Sequence, residues 1–273
     1  MVLHLERKFT SPTETFIVNQ INAIASEKHS VFTIVNLNNL EANAAIYAPE
    51  IATALSTKIL RRSHKAYFEK QLKTVAPTCI HAHFMTDAAL FHPLTKKLKV
   101  PKICSCYGYD VSVVPRKFGI VGRIQYKKLF REYDIFLAMS EVMKKDLLAM
   151  GCPAHKIRVH YHGINTKLFA TERDYQIKDG VLNLLTIASL LPVKGHMAVL
   201  KALKQLKTKE PKLNIHYNLV GQGRFREQLE NYVVENGLSD SVCFCGPTKH
   251  GPEFNAYLKK ADIFLHPSTT TEQ

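Results

Sequence analysis

With 273 residues, 46% of them apolar and 22% charged, the chain has the balance of a folded globular protein. It exceeds the usual size of one core, so two α/β domains are expected. No apolar run approaches the ~20 residues of a spanning helix, and Met1-Val2-Leu3-His4-Leu5-Glu6-Arg7-Lys8 is not a signal peptide. A cytoplasmic protein, at most peripheral at the inner face of the cytoplasmic membrane, is therefore expected.

Short apolar or β-branched runs alternate with longer stretches of helical period, the pattern of βαβ units on a parallel sheet. Expected strands are 2–6, 31–37, 78–84, 101–106, 134–139 and 157–161. After Pro12-Thr13-Glu14, the spacing of Phe16, Ile17, Ile21 and Ile24 predicts a helix with one apolar stripe. Ser140 stands where an N-cap belongs, with Met143 and Leu147 behind it and Gly151-Cys152-Pro153 as the stop. Residues 1–168 read as one Rossmann-like domain and 169–180 as a linker. A second domain, 181–273, has strands at 181–188, 214–220, 242–245 and 262–266, with helices at 194–207, 224–236 and 252–261. Ligands of such sheets bind at the carboxyl ends of the strands.

Charge divides unevenly between the halves. Residues 1–170 carry 24 Lys and Arg against 12 Asp and Glu, a net +12, and residues 171–273 carry 13 against 11, a net +2. Basic residues cluster at Lys58, Arg61, Arg62 and Lys65, and again at Arg116, Lys117, Arg123, Lys127, Lys128 and Arg131. Such a field attracts nucleic acid, anionic lipid or phosphorylated ligands without choosing among them. The absence of Trp and of any recognisable nucleic-acid module argues against the first. The six cysteines include two pairs, Cys104/Cys106 and Cys243/Cys245, each on an expected strand. Neither pair has common zinc-ligand spacing, so reduced thiols are expected.

Several segments carry chemistry. Lys194-Gly195 follows a strand and opens a helix, where an ammonium beside exposed N–H groups suits a diphosphate. From position alone, a solvated lysine reads the same. Val220-Gly221-Gln222-Gly223 permits close backbone approach, to a ligand or within an ordinary turn. The polar groups of Tyr107-Gly108-Tyr109-Asp110 should emerge beyond the strand ending at Cys106. His81 and His83 would share one face of a strand with no evident carboxylate nearby, which favours packing over a metal. The 13 histidines look scattered. Glu14 suits a helix N-terminus through the dipole alone.

Together these segments resemble the family-4 group of retaining glycosyltransferases that build bacterial exopolysaccharide, including colanic-acid-like polymers. The likeness rests on Pro12-Thr13-Glu14-Thr15-Phe16-Ile17, His81-Ala82-His83-Phe84, Tyr107-Gly108-Tyr109-Asp110, Ala138-Met139-Ser140 and Gly163-Ile164-Asn165. In the second half it rests on Ser189 to His196, Val220 to Gly223, Gly246-Pro247-Thr248-Lys249 and Ala261 to Ser268. The resemblance implies a GT-B-like α/β fold of two Rossmann-like parallel-sheet domains, the second incomplete. It implies transfer of a hexose from a UDP- or GDP-sugar to a lipid-linked or saccharide acceptor with retention, and neither metal nor other cofactor. By resemblance Tyr107, Gly108 and Asp110 are catalytic candidates, and Ser189, Lys194, Gly195, Gly221, Gly223 and Thr248 adjoin the donor. Where the family has Arg before Lys194, this chain has Ser189; where it has His, this chain has Tyr107. The family's paired glutamates would follow Ser268, and Glu272 is neither of them, so the chain reads as a truncated product. A sugar-nucleotide-binding remnant, a GT-B epimerase and a basic nucleic-acid-binding protein are the rival readings.

Overall fold

The computed structural model describes residues 1–10, 14–38, 40–49, 62–164, 166, 180–248 and 251–269. Contacts divide the chain into two units, Met1–Ile164 and Asn165–Gln273. Of the expected linker 169–180, all but Gly180 lies outside the described residues, as do Pro12, Thr13, Lys58, Arg61, Asn165, Lys249 and Glu272.

The first unit is a seven-stranded parallel sheet: β1 (Val2–Phe9), β2 (His29–Asn36), β3 (Ala45–Tyr47), β4 (Cys79–His83), β5 (Lys102–Cys106), β6 (Ile135–Ala138) and β7 (Ile157–Val159), in spatial order β3-β2-β1-β4-β5-β6-β7. Helices α1 (Thr15–Ala23), α2 (Arg62–Val75), α3 (Met85–Thr95), α4 (Val114–Glu132) and α5 (Glu141–Ala149) connect them. Alternation along the strands sorts side chains between two faces. Leu3, Leu5, Phe32, Ile34, Ile80, Ala82, Cys104 and Phe136 join Phe68, Phe91 and Phe130 of α2, α3 and α4 in one apolar core. The opposite face is buried and mixed: His4, Glu6, His29, Thr33, His81, His83 and Ser105 lie there beside Val31, which packs with Phe9 and with Ile17, Val18 and Ile21 of α1. Register places His4 directly opposite His81.

Local chemistry accounts for the connections. Ser140 Oγ accepts from Met143 N at 3.1 Å, the predicted cap. Gly151, at φ 89°, ends α5: its N–H reaches Leu148 O and that of Cys152 reaches Leu147 O, the Schellman pattern. Two features went unanticipated. β3 is only three residues long, too short for a periodic signal. A π-helical turn, Tyr109–Val113, leads into α4 after Gly108 at φ 89°.

The second unit contains β8 (Val181–Ile187), β9 (Asn214–Val220), β10 (Val242–Gly246) and β11 (Ile263–Phe264), with α6 (His196–Lys209), α7 (Arg226–Glu235) and α8 (Pro252–Lys260). The strands are parallel in the order β10-β9-β8-β11. Leu184, Leu200, Leu203, Tyr217, Leu219 and Leu229 centre its core. β11 is shorter than the expected 262–266, although Leu265 N still bonds to Leu185 O at 2.8 Å. In both units the strand order reverses beside the first strand, between β1 and β4 and between β8 and β11. Open parallel sheets bind ligands at such switch points.

Candidate functional site

At the switch point of the first unit, Glu6, Arg7, Glu14, Phe84, Asp87 and Tyr109 line an open cavity of about 250 Å³. Arg7 grips Asp87 twice, through its backbone N–H to Oδ2 at 2.6 Å and through Nη2 to Oδ1 at 2.7 Å. Burial raises both the Glu6 and the Asp87 carboxyl, and Arg7 opposes the rise at Asp87. Phe84, at the end of β4, has φ 69°, a rare conformation for a bulky residue, and Thr10 after β1 has φ 62°. Backbone strain thus flanks the cavity on both strands.

Beside it the histidines gather instead of scattering. His29 Nε2 meets the Ile24 carbonyl at 2.8 Å, His29 Nδ1 meets His4 Nε2 at 3.0 Å, His4 Nδ1 meets His83 Nε2 at 3.0 Å, and His83 Nδ1 meets the Tyr107 hydroxyl at 2.8 Å. Burial holds His4 and His83 well below the usual histidine range, and lowers His81 to about 4. In neutral rings one nitrogen donates and the other accepts. A carbonyl only accepts, so His29 Nε2 carries its proton; each following link then has one direction, and Tyr107 must donate to His83. His81 Nε2 and Ser105 Oγ lie 2.8 Å apart in the same buried layer.

This geometry corrects the expectation that the polar groups of Tyr107 and Asp110 emerge beyond the strand. The Tyr107 hydroxyl turns back onto the sheet and bonds to His83 Nδ1. Its ring lies under His162, with centroids 5.2 Å apart and 18° between planes, while Phe16 lies 4.4 Å from His162. Asp110 is wholly buried: Oδ1 accepts from Tyr107 N at 2.9 Å and Oδ2 from Met85 N at 2.8 Å. Burial raises its carboxyl to about 6 against those bonds. Gly108 makes the turn at φ 89°, and its carbonyl accepts from Ser112 N at 2.7 Å and Ser112 Oγ at 2.8 Å.

His4, His81 and His83 each offer a ring nitrogen, all within 4.8 Å of one another. The His4 and His83 ring centroids are 5.3 Å apart, about as far as a 3.0 Å nitrogen contact allows, so donor and lone pair lie on one line. Nitrogens sharing a metal at ~2.0–2.1 Å would point to a common centre off that line. The arrangement is a hydrogen-bonded chain.

At the switch point of the second unit, the loops after β8, β9 and β11 interlock. A Cβ on Gly195 (φ 71°) would strike the Pro267 carbonyl, on Gly221 (φ 149°) the Ala188 carbonyl, and on Gly223 the Leu190 carbonyl. The close approach expected at Gly221 and Gly223 is thus to the chain's own backbone. Buried His196, quoted in the motif without a role, donates from Nε2 to Ser189 O at 3.0 Å and holds that loop. Lys194 stands half-buried immediately before α6, and its ammonium has no partner among the described residues. Thr248 is half-buried just beyond β10. Ser189, Lys194 and Gly195 therefore meet at one strand end, with Gly221 and Gly223 buttressing them.

Two family models match: Glycosyltransferase Family 4 over residues 13–168 and Glycosyl transferases group 1 over 170–273. The amylovoran biosynthesis glycosyltransferase AmsK of Erwinia amylovora is 30% identical over 203 residues, which is 72% of this chain and 48% of AmsK. The chain thus spans about half the length of that relative. Among solved structures, Anabaena HepE in complex with UDP-glucose matches with a TM-score of 0.77 at 17% identity, over 99% of this chain and 74% of that one. Sucrose-phosphate synthase from Thermosynechococcus elongatus gives 0.77 at 17% identity, over 98% and 75%. At such identities the likeness shows the fold, which is the GT-B-like α/β one expected.

Proposed function

Because the chain belongs to Glycosyltransferase Family 4, we propose that it serves the transfer of a hexose from a UDP- or GDP-sugar to a hydroxyl of a saccharide or lipid-linked acceptor in surface-polysaccharide synthesis. The observation that carries this reading is Lys194: an ammonium with no partner among the described residues, at the N-terminus of the 14-residue α6 and at a topological switch point. Positive charge and helix N–H groups together suit a diphosphate that gains charge as it departs. Ser189 and Gly195 shape the loop around it, Gly221 and Gly223 pack behind, and Thr248 faces the nucleotide. AmsK is named for amylovoran biosynthesis and HepE binds UDP-glucose, which supports the substrate class.

In this reading the first unit receives the acceptor. The cavity at Glu6, Arg7 and Asp87 offers two carboxyl groups and a guanidinium, a set suited to hydroxyl groups. Tyr107, Gly108 and Asp110 act as positioning residues: Asp110 ties the turn to α3, and Gly108 lets the chain reverse. Transfer proceeds with retention, the departing diphosphate taking the acceptor proton, so no protein nucleophile is required. The test is calorimetry of the full chain with UDP, GDP and their monophosphates. Preference for one diphosphate over its monophosphate supports the proposal; no binding of any of them contradicts it.

A further inference from the structure

The spacing Cys-x-Cys occurs once in each unit, and the fold treats the two pairs differently. Cys104 and Cys106 are wholly buried in the apolar core between β5 and the helices, where thiols are shielded from reagents and ions. Cys243 and Cys245 lie on β10, the edge strand of the second sheet; Cys243 is exposed and Cys245 half-buried. Residues two apart on a strand stand ~6.6 Å apart along it. These two sulfurs are only 3.6 Å apart, so the side chains lean toward each other. The strand is irregular at that place: its register against β9 shifts between Phe244 and Gly246.

We propose that Cys243 and Cys245 form a two-thiolate site for a soft divalent cation of the zinc and cadmium class. Two thiolates at ~2.3 Å from one tetrahedral ion stand ~3.8 Å apart, close to the separation already present. Sulfur selects soft ions over magnesium or calcium. Spacing in sequence argued against both pairs, but spacing assumes a regular strand, and the irregularity of β10 supplies the convergence that spacing lacks. The Cys245 S–H donates to Asn218 Oδ1 on β9 at 3.4 Å. An ion bound by thiols displaces their protons. Each binding event therefore forms two metal–sulfur bonds and releases two protons, with solvent completing the coordination.

The experiment is a Cd²⁺ titration of the reduced, full chain near neutral pH by calorimetry in buffers of different ionisation enthalpy, which counts protons, together with native mass spectrometry. Expected are one tight Cd²⁺ per chain, about two protons released, and affinity reduced more than about a hundredfold in Cys243→Ser and in Cys245→Ser. Both side chains lie at the surface edge, and circular dichroism checks that the variants fold. The double variant decides between this pair and any other site on the chain. Undiminished tight binding in Cys243→Ser/Cys245→Ser, binding without proton release, or no binding to the parent chain would each overturn the proposal.

Discussion

The most consequential residues lie on the buried, histidine-bearing face of the first sheet. The one-way chain from Tyr107 through His83, His4 and His29 to the Ile24 carbonyl predicts that all three imidazoles carry their proton on Nε2. Long-range ¹⁵N–¹H NMR reads the tautomers, and an Nδ1–H form of His4 or His83 at neutral pH would refute the polarity. His81, lowered to about 4 in the folded state against ~6.5 unfolded, stays neutral in the fold while the unfolded chain charges. Its contribution to stability is thus present above ~6.5 and lost as pH falls toward 4. The stability difference between wild type and His81→Asn should accordingly grow from pH 4 to 6.5; a difference independent of pH would contradict it. Asp110→Asn should cost about 1–3 kcal/mol in denaturant unfolding, because an amide can accept from only one of the two N–H groups that the carboxylate satisfies. Little of this network is legible in sequence. His81 and His83 show that they share a face, but His4 and His29 come from strands whose neighbours the sequence does not reveal. Tyr107 shows its place at a strand end but not the direction of its hydroxyl, which a distant imidazole sets. Glu6 and Arg7 close an apolar strand, a signal passed over because Asp87 lies 80 residues from Arg7.

At the scale of elements, local chemistry was the more readable. Ser140 and Gly151 bound α5 as their residue types require, since a cap and a left-handed stop depend on neighbours in the chain. Elements that depend on tertiary pairing were less visible, such as the three-residue β3 and the shortened β11. The glycine loops of the second unit show the same division: their need for glycine is evident, but the carbonyls they touch come from other strands. Gly221→Ala combines positive φ with a collision against the Ala188 backbone, so it should destabilise the second unit by more than about 1–3 kcal/mol. Gly180→Ala has positive φ but no such neighbour, and thermal unfolding should show the smaller loss there. Equal losses at the two positions would remove the packing argument for Gly221.

For the whole molecule, two parallel α/β units were evident from the alternation of elements, whereas the strand orders that create the switch points were not. The uneven charge, +12 over residues 1–170, retains a role in this picture. Lys127, Lys128 and Arg131 are exposed on α4, and of Arg116, Lys117 and Arg123 only the helical backbone is described. No helix among the described residues is long and apolar enough to cross a membrane. We propose that the basic surface of the first unit docks on anionic lipid, so the chain should sediment with anionic liposomes, less so as salt rises, and not with neutral ones. Equal sedimentation with both would contradict this. The central claim, that the second unit holds a nucleotide-sugar diphosphate at Lys194, is tested most directly by titrating UDP and GDP into the wild-type chain and into Lys194→Ala. Loss of one charged hydrogen bond predicts weakening of about 1.5–3 kcal/mol, roughly ten- to 150-fold, for the nucleotide that binds the parent; unchanged affinity would contradict it.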